Sequence, residues 1–296
     1  MLGNMTKLSV IIACLNEVNA LGEQLEALSR QTWDDWEVII ADNGSTDGTQ
    51  ELARSFADRL NITVLDASQE PGAGYARNAG ADAATGDALL FPDADDIVAD
   101  GWLQHMGQAL QAHDFVASRL EFERLNPGWV YHSRGRPQEK GLARYPYGEF
   151  FPHGFGTSLG VKKTIHNAVG GFNVAFIRGQ DMAYCWHVQE TGTPLVYVPE
   201  AVVHYRFRHE LSSIYDQARR YAQGNMLIYR SYLERHKTED NVPLPPKPRL
   251  DLKKLAYLIL RYPRIRDKVE RGSWTWHFGW ELGIITGAWR YRILPF

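Results

Sequence analysis

The densest group of side chains able to bind a metal ion is the acidic stretch Phe91-Pro92-Asp93-Ala94-Asp95-Asp96. Its carboxylates come directly after the short apolar run 88–91, which has the pattern of a buried strand. Ligands of parallel sheets bind beyond the carboxyl ends of the strands. Adjacent carboxylates repel one another unless a cation neutralises them, and hard oxygen donors suit Mg²⁺ or Mn²⁺. The stretch predicts a divalent metal that clamps a diphosphate. The alternative is a solvated acidic turn in which Asp96 caps the next helix.

The elements before this stretch alternate between strand and helix patterns. Apolar runs at 8–15, 36–41 and 62–65 predict three more strands, and the first is apolar enough for a central parallel strand. Polar residues follow the first two of these strands, Asn16-Glu17 after the first and Asp42-Asn43 after the second. Further along the second connection, Asp47 and Gln50 have the spacing of a capping box. Short connections between alternating elements predict an α/β parallel sheet.

Beyond residue 115 the alternation is weaker. Apolar runs predict strands at 115–118, 155–161, 194–198 and 201–205. Residues 126–147, rich in Gly, Pro, Arg and Tyr, predict a long loop. A helix through Trp186, a helix over 210–236 and a proline-rich linker at 241–248 complete the pattern.

Composition and glycine spacing exclude several classes of protein. The net charge of −3 argues against a nucleic-acid binder, and two cysteines predict neither a disulfide framework nor a thiolate zinc site. Gly72-Ala73-Gly74 follows the third predicted strand and lacks the third glycine of the dinucleotide fingerprint, which argues against a NAD-dependent dehydrogenase. No apolar run approaches the roughly 20 residues of a membrane span, and the polar start is unlike a signal peptide, so a cytoplasmic location is expected.

Taken in order, these motifs resemble the family 2 glycosyltransferases, which have the GT-A fold. Residues 13–17 stand where that family's first strand ends, and 42–49 match its motif Asp-Asp-Gly-Ser-Thr-Asp-Gly-Thr. Residues 76–80 match its helix motif Ala-Arg-Asn-x-Gly, and 93–96 match its metal motif Asp-Ala-Asp-Asp. The family's later Gly-Gly-Phe and Glu-Asp motifs appear at 170–172 and as Gln180-Asp181, where a neutral amide replaces the usual Glu.

The resemblance extends over roughly residues 8–210 and implies an α/β fold of the GT-A type. That fold is a Rossmann-like, mostly parallel central sheet flanked by helices, here with a C-terminal helical extension. The expected catalytic domain covers 1–240, with a nucleotide-binding half at 8–114 and an acceptor half at 115–210. Residues 241–296 are expected to form the linker and an aromatic, basic helical tail.

The resemblance also implies a nucleotide-sugar site at the strand ends. Its residues are Ala13, Cys14, Asn16, Glu17, Asp42, Asn43, Arg77, Asp93, Ala94 and Asp95. Asp42 is expected to accept from the N–H of the base, with a cap of its own turn as the alternative. Arg77 is expected to face the base or the diphosphate, and the alternative is a solvated residue on a helix surface.

The implied cofactor is Mn²⁺ or Mg²⁺, with Asp95 and Asp93 as ligands and Asp96 supporting the turn. Many enzymes of this fold use a histidine near the position of His204 as a further metal or diphosphate ligand, while a structural histidine is the alternative. Asp181 matches the family's general base, which implies an inverting mechanism, and its alternative role is a helix cap.

The implied activity is transfer of a sugar from a nucleotide-diphosphate donor to an acceptor hydroxyl. The expected nucleotide is UDP, with GDP or dTDP as alternatives, and the expected acceptor is a glycan or a lipid-linked sugar of bacterial surface polysaccharide or glycoconjugate assembly. Two other functions stay open at this point: a nucleotidyltransferase, and a non-catalytic protein that binds sugar nucleotides or carbohydrate.

The tail raises a separate question. Trp, Phe and Arg recur between 274 and 292, which fits an amphipathic helix on a membrane interface. The alternative is a helix packed on the domain or across a homodimer interface. The sequence therefore suggests peripheral membrane contact through 250–296, at the inner face of the membrane.

Overall fold

The computed structural model describes residues 6–238 and 243–296. The chain divides into two compact units. Unit 1 comprises residues 6–121, Pro137–Ala143 and Pro152–Arg206, and unit 2 comprises Phe122–Arg136, Arg144–Phe151 and the described residues from 207 onward. Residues 1–5 of the polar start, and residues 241 and 242 of the predicted linker, lie outside the described residues.

Unit 1 contains an eight-stranded sheet. Its strands are β1 (Leu8–Cys14), β2 (Trp36–Asp42), β3 (Ile62–Asp66), β4 (Ala88–Leu90), β5 (Ile97–Val98), β6 (Phe115–Glu121), β7 (Leu159–Lys162) and β8 (Val196–His204). Their order is β3-β2-β1-β4-β7-β6-β8-β5. The first four strands in this order are parallel, β4 then pairs antiparallel with β7, and β6 pairs parallel with β8.

The helices of both units, in chain order, are α1 (Leu21–Leu28), α2 (Thr49–Arg54), α3 (Ala73–Ala83), α4 (Trp102–Ala112), α5 (Gly128–Ser133), α6 (Lys163–Ala168), α7 (Gln180–Glu190), α8 (Leu211–Arg235), α9 (Leu252–Arg261) and α10 (Lys268–Tyr291). None of the described helices combines the length and the hydropathy needed to cross a bilayer.

Burial explains why the first half of unit 1 folds as the sequence predicts. β1 is buried along nearly its whole length, as expected for a parallel strand covered on both faces. Gly80 lets helix α3 pack closely on this strand, since a Cβ at this position would clash with Ile11. The small residues of α3 therefore bring its first turn to the end of the sheet where β1 and β2 finish.

Three predictions for the second half were wrong in detail. The predicted strand at 155–161 is a 3₁₀ turn (Gly156–Ser158) followed by β7, and the predicted loop at 126–147 contains α5. The two predicted strands at 194–198 and 201–205 form one strand, β8, whose register against β6 shifts between Ser118 and Arg119. Pro199, which has no N–H to donate, lies in the irregular part of β8.

Unit 2 is organised around the packing of α8 against α10. Glycines at 279, 283 and 287 form one face of α10, and a Cβ on any of them would crowd α8. The indoles of α10 also have partners within unit 2: Trp280 Nε1 donates to Tyr147 Oη at 3.0 Å, and Trp276 lies against Tyr221. Most of the aromatic run in the tail is therefore used in packing.

Candidate functional site

The connections after β1 and β2 are joined by hydrogen bonds. Asn16, at φ +57°, donates its backbone N–H to Ser45 Oγ at 2.9 Å, and its Oδ1 accepts from Thr46 N at 2.9 Å. Glu17 N donates to Thr49 Oγ1 at 2.9 Å. Because β1 and β2 are parallel neighbours, these bonds hold the polar residues after both strands at one edge of the sheet.

Asp42 is the buried acid of this edge. Its Oδ2 accepts from Ser45 N at 3.0 Å, from Gly44 N at 3.3 Å and from Gln50 Nε2 at 2.8 Å. Its Oδ1 is also buried and has no hydrogen-bond partner among the described residues. The carboxylate thus caps its own turn with one oxygen, while the other can still accept a hydrogen bond. The predicted capping box of Asp47 and Gln50 is wrong, because Gln50 binds Asp42 and Gly48 is the N-cap residue of α2.

Asn43 shapes the neighbouring loop. Its Oδ1 accepts from Gly72 N at 2.8 Å, and its amide donates to Glu70 O at 2.8 Å and to Ala67 O. These bonds connect the end of β2 to the start of α3. The amide of Asn43 is therefore occupied by the protein itself, and its predicted contact with a nucleotide sugar stays a prediction.

The acidic stretch brings three carboxylates together. One oxygen each from Asp93, Asp95 and Asp96 lies within 4.8 Å of the others. Asp96 is 1% exposed, and its Oδ2 has no partner in the part of the chain that the structure describes. Burial, followed by repulsion from Asp95 and Asp93, raises the pKa of Asp96 well above its usual range.

This donor set fits a divalent cation. All three groups offer hard oxygen atoms, Asp93 and Asp95 are only partly buried, and a buried oxygen lacks a partner. The alternative in which Asp96 caps the next helix is wrong, because α4 begins at Trp102 with Gly101 as its N-cap residue.

Residues remote in sequence hold the acidic stretch. Fully buried Gln24 of α1 donates to Asp93 O at 3.1 Å and accepts from Val98 N at 2.9 Å. Thr157 Oγ1 accepts from Asp93 N at 3.1 Å. Neither residue was predicted from the sequence. The available signal for Gln24 was its position on the apolar face of α1, between Leu21 and Leu25.

Arg206 also binds the acidic stretch. Its Nε donates to Asp95 O at 2.9 Å and its backbone N–H to Asp96 Oδ1 at 2.8 Å. Its Nη2 pairs with Glu23 Oε2 at 2.6 Å. The end of β8 therefore ties the acidic stretch to α1.

Arg77 is a buried member of the site. It is 5% exposed, its Nη2 lies 2.5 Å from Asp93 Oδ1, and its guanidinium lies over the ring of Phe172. The alternative of a solvated helix-surface arginine is therefore wrong. Because Arg77 neutralises part of the charge of Asp93, it makes the crowding of three acids tolerable.

Asp181 lies in the first turn of α7. Gly179, at φ +71°, is the N-cap residue, so the alternative of Asp181 as the cap is wrong. Asp181 Oδ2 accepts from Gly156 N at 3.1 Å and its Oδ1 from Met182 N at 2.9 Å. These amides fix the orientation of the carboxylate at the start of α7. The neighbouring Gln180 lies against Gly74, which brings the start of α7 to the start of α3.

His153 is a neutral neighbour of Asp181. Burial lowers the pKa of His153 to about 4, and the charge of Asp181 acts in the opposite direction. Its Nδ1 is buried and has no hydrogen-bond partner among the described residues. An imidazole that stays neutral at pH 7 does not form an ion pair with Asp181, so the carboxylate is not neutralised from this side.

Gln138 is a further residue that the sequence analysis missed. This buried side chain, on a backbone at φ +65°, donates to Ser118 O and to Ser158 Oγ, both at 2.6 Å, and accepts from Phe155 N at 2.8 Å. It therefore fixes the segment that presents Gly156 N to Asp181. Nothing in the local pattern of a predicted loop indicated a buried glutamine.

The remaining predicted residues also lie at the strand ends. His204 Nδ1 contacts Glu121 Oε2 at 2.7 Å, an arrangement that orients the ring as in many metal-binding histidines, but the three-acid group does not include it. Burial and then the charges of Asp42, Glu17, Asp93 and Asp95 raise the pKa of Cys14 well above its usual range. Ala94 is buried, and Ala13 is partly exposed.

The chain matches two family models. The model described as glycosyl transferase family 2 matches residues 9–173, and that of glycosyl transferase family group 2 matches residues 142–295. Among curated proteins, glycosyltransferase AglE of Haloferax volcanii is 28% identical over 203 residues, which are 66% of this chain and 65% of AglE. The match thus spans slightly less than two thirds of that relative's length.

Solved structures show the same fold. A mannosyltransferase, PcManGT from Pyrobaculum calidifontis, in complex with GDP-Man and Mn²⁺, matches with a TM-score of 0.62 at 18% identity, over 97% of this chain and 76% of its own. S. aureus TarS 1–349 in complex with UDP-GlcNAc matches with a TM-score of 0.55 at 17% identity, over 96% and 91%. These likenesses confirm the predicted GT-A fold with its C-terminal helices. Because the first family model covers more than half of the chain, the chain belongs to glycosyl transferase family 2.

Proposed function

We propose that this chain is a metal-dependent inverting glycosyltransferase that moves a sugar from a nucleotide-diphosphate donor to an acceptor hydroxyl. The observation that carries the proposal is the convergence of acids at the ends of parallel strands. Asp42 offers a buried oxygen without a partner, and Asp93, Asp95 and Asp96 lie within 4.8 Å of one another. The oxygen of Asp42 suits an N–H of the nucleobase, and the three carboxylates suit a cation bound to a diphosphate.

Recognition of the nucleobase is assigned to Asp42. A buried carboxylate oxygen that lacks a partner is costly unless a ligand supplies a donor, and the N–H of a pyrimidine or guanine base is such a donor. UDP is the proposed nucleotide, with GDP or dTDP as alternatives. Relatives of the same fold support this range, since one was solved with UDP-GlcNAc and another with GDP-Man.

The diphosphate is assigned to the acidic stretch. Asp95 and Asp93 would hold Mn²⁺ or Mg²⁺, with His204 as a proposed further ligand and Asp96 as support for the turn. A cation held there would neutralise the negative charge of the diphosphate leaving group. The chain's own contribution is rigidity, because Gln24, Thr157 and Arg206 hold the backbone of the stretch in place.

The role of general base toward the acceptor hydroxyl is assigned to Asp181. Its two oxygens accept from backbone amides, which fixes the orientation of the carboxylate. An ionised carboxylate can take the hydroxyl proton as the oxygen attacks the anomeric carbon. Attack opposite the leaving diphosphate inverts the anomeric configuration. The proposed acceptor is a glycan or lipid-linked sugar of bacterial surface polysaccharide or glycoconjugate assembly.

A screen of nucleotide sugars for thermal stabilisation, with Mn²⁺ or with EDTA, identifies the donor. Donor hydrolysis is then measured with and without Mn²⁺. Mn²⁺-dependent release of the nucleotide diphosphate supports the proposal. Binding without any turnover would favour a non-catalytic binding protein, and release of pyrophosphate from a nucleoside triphosphate and a sugar phosphate would favour a nucleotidyltransferase.

The Asp181→Asn substitution tests the general base directly. Asparagine keeps the shape of the side chain and one oxygen acceptor for the two backbone amides of Gly156 and Met182, but it cannot take a proton at neutral pH. We expect donor binding to survive while the single-turnover transfer rate falls by about 10²–10⁴, the usual share of general-base catalysis. NMR of the product linkage should show inversion.

The matched control is Asp100→Asn, which changes an exposed acid outside the site. We expect this control to transfer sugar at the wild-type rate. Wild-type transfer by Asp181→Asn would remove Asp181 from the mechanism, and a retained anomeric configuration would refute inversion.

A further inference from the structure

Helix α9 in unit 2 exposes an apolar face to solvent. Leu252, Ala256, Ile259 and Leu260 recur at the spacing of one helix face, which in a globular protein normally faces the core. Here Ile259 is 57% exposed and Leu260 70% exposed, whereas Leu258 is the buried residue of this fully described helix. The apolar face of α9 therefore lacks the cover that its pattern calls for.

The opposite side of α9 is held firmly on unit 2. Trp274 Nε1 donates to Leu258 O at 2.8 Å, and Arg261 pairs with Glu270 at 2.7 Å. Lys254 pairs with the buried Glu281 at 3.2 Å. Because these contacts fix the rotation of the helix, the outward orientation of its apolar face follows from how α9 is attached.

Basic residues flank this apolar face. Residues 252–268 contain six Lys or Arg and a single acid, Asp267, which accepts from Glu270 N at the start of α10. Lys254 and Arg261 pair with acids on the attached side of the helix, and the other four, Lys253, Arg264, Arg266 and Lys268, are exposed. The whole chain has a net charge of −3, so the local charge is opposite in sign to the total. An apolar face with a basic rim complements an anionic lipid surface.

The exposed apolar surface continues into the C-terminal residues. Leu250 N donates to Pro295 O at 2.9 Å, which brings the last residues next to the start of α9. Leu294 and Phe296 are both exposed there. The patch is thus larger than one helix face.

We propose that α9, together with the basic segment up to Lys268, docks on the surface of an anionic phospholipid bilayer. The sequence alone pointed to the aromatic run at 274–292, but most of that run packs within unit 2. A second copy of the chain is a poorer occupant, since a two-fold contact through α9 would place one basic rim against the other. The proposal does not depend on the transfer reaction.

The test is flotation of the full chain with phosphatidylcholine vesicles that contain or lack phosphatidylglycerol. We expect the wild type to float with the anionic vesicles and to dissociate as the salt concentration rises. The double substitution Ile259→Asp and Leu260→Asp should lower the partition coefficient by about tenfold or more. The control Ile177→Asp changes an exposed isoleucine of unit 1 and should float like the wild type.

A second variant tests the charge without touching the apolar face. Arg264→Gln with Arg266→Gln should lower binding to anionic vesicles by about tenfold or more. Circular dichroism and Tm establish that each variant is folded. The proposal is overturned if the wild type does not bind anionic vesicles or binds neutral vesicles equally well. The proposal is also overturned if either double variant floats like the wild type. The same holds if the wild type is a dimer in solution and the double substitution Ile259→Asp and Leu260→Asp dissociates it.

Discussion

Asp42 and the acidic stretch 93–96 both follow strands of the same parallel set, yet different parts of the chain hold them. The partners of Asp42 lie within eight residues of it: Gly44, Ser45 and Gln50. Apart from Arg77, which lies 16 residues before Asp93, the partners of the acidic stretch come from 64 to 111 residues away, in α1, the 3₁₀ turn and the segment after β8. The first acid sits in a local turn, and the second group is assembled by the whole of unit 1.

This difference separates two tasks. A turn held by its own residues can present a base acceptor as soon as β2 is in place. A group of three mutually repelling carboxylates needs partners that exist only in the folded unit, because its crowding costs free energy that local contacts do not offset. The acidic stretch should therefore be the more sensitive of the two to substitutions elsewhere in unit 1.

The glutamines that support the two regions give the largest expected difference in stability. Gln24→Ala leaves Asp93 O and Val98 N without their buried partner and should lower the free energy of unfolding by about 2–4 kcal/mol. Gln50→Ala removes one of three bonds to Asp42 Oδ2 and should cost about 0.5–1.5 kcal/mol. Urea denaturation measures both, and equal losses would contradict the contrast between remote and local support.

Asp42→Asn separates the cap from the ligand contact. The amide oxygen can still accept from Gly44 and Ser45, while the amide nitrogen replaces the partnerless oxygen and cannot accept from a base. We expect nucleotide affinity to fall by about 1.5–3 kcal/mol, the value of one hydrogen bond to a charged group, with little change in Tm. Unchanged affinity by calorimetry would leave Asp42 with a structural role alone.

Asp96→Asn should produce the smallest effect, and it should be stabilising. Because burial raises the folded pKa of Asp96 above its usual 3.8, its contribution to stability is fully present below 3.8 and is lost as pH rises through the folded value. Replacing it by a neutral amide should raise the Tm of metal-free protein in EDTA, and more so at pH 8 than at pH 5. A Tm that falls equally at both pH values would contradict this assignment.

The same contrast explains which parts of the structure the sequence could predict. β1, β2 and β3, and the turn after β2, have patterns set by neighbouring residues, and they lie where the sequence placed them. Gln24, Thr157 and Gln138 act across long sequence separations, and no local pattern marks their partners. β8 was predicted as two strands because its irregular part around Pro199 interrupts the apolar pattern without ending the pairing.

The tail shows the same limit. Its aromatic residues predicted either a membrane helix or a packed helix, and the choice depended on Gly279, Gly283 and Gly287. Their spacing lets α10 approach α8 closely, but that partner is more than forty residues earlier in the chain. The apolar residues of α9 recur at helical spacing in the sequence, but that spacing does not show which side of the helix unit 2 covers.

Calorimetric titration of UDP, or of whichever nucleotide diphosphate raises the Tm most, tests the central claim most directly. The wild type and the Asp95→Ala variant are titrated in Mn²⁺ and in EDTA, with Asp100→Ala as the exposed-acid control. We predict that EDTA removes most of the wild-type affinity, that Asp95→Ala in Mn²⁺ binds no better than the wild type in EDTA, and that the control binds normally. Wild-type affinity for the nucleotide in the Asp95→Ala variant, or affinity that does not depend on Mn²⁺, would contradict a metal-bound diphosphate at the acidic stretch.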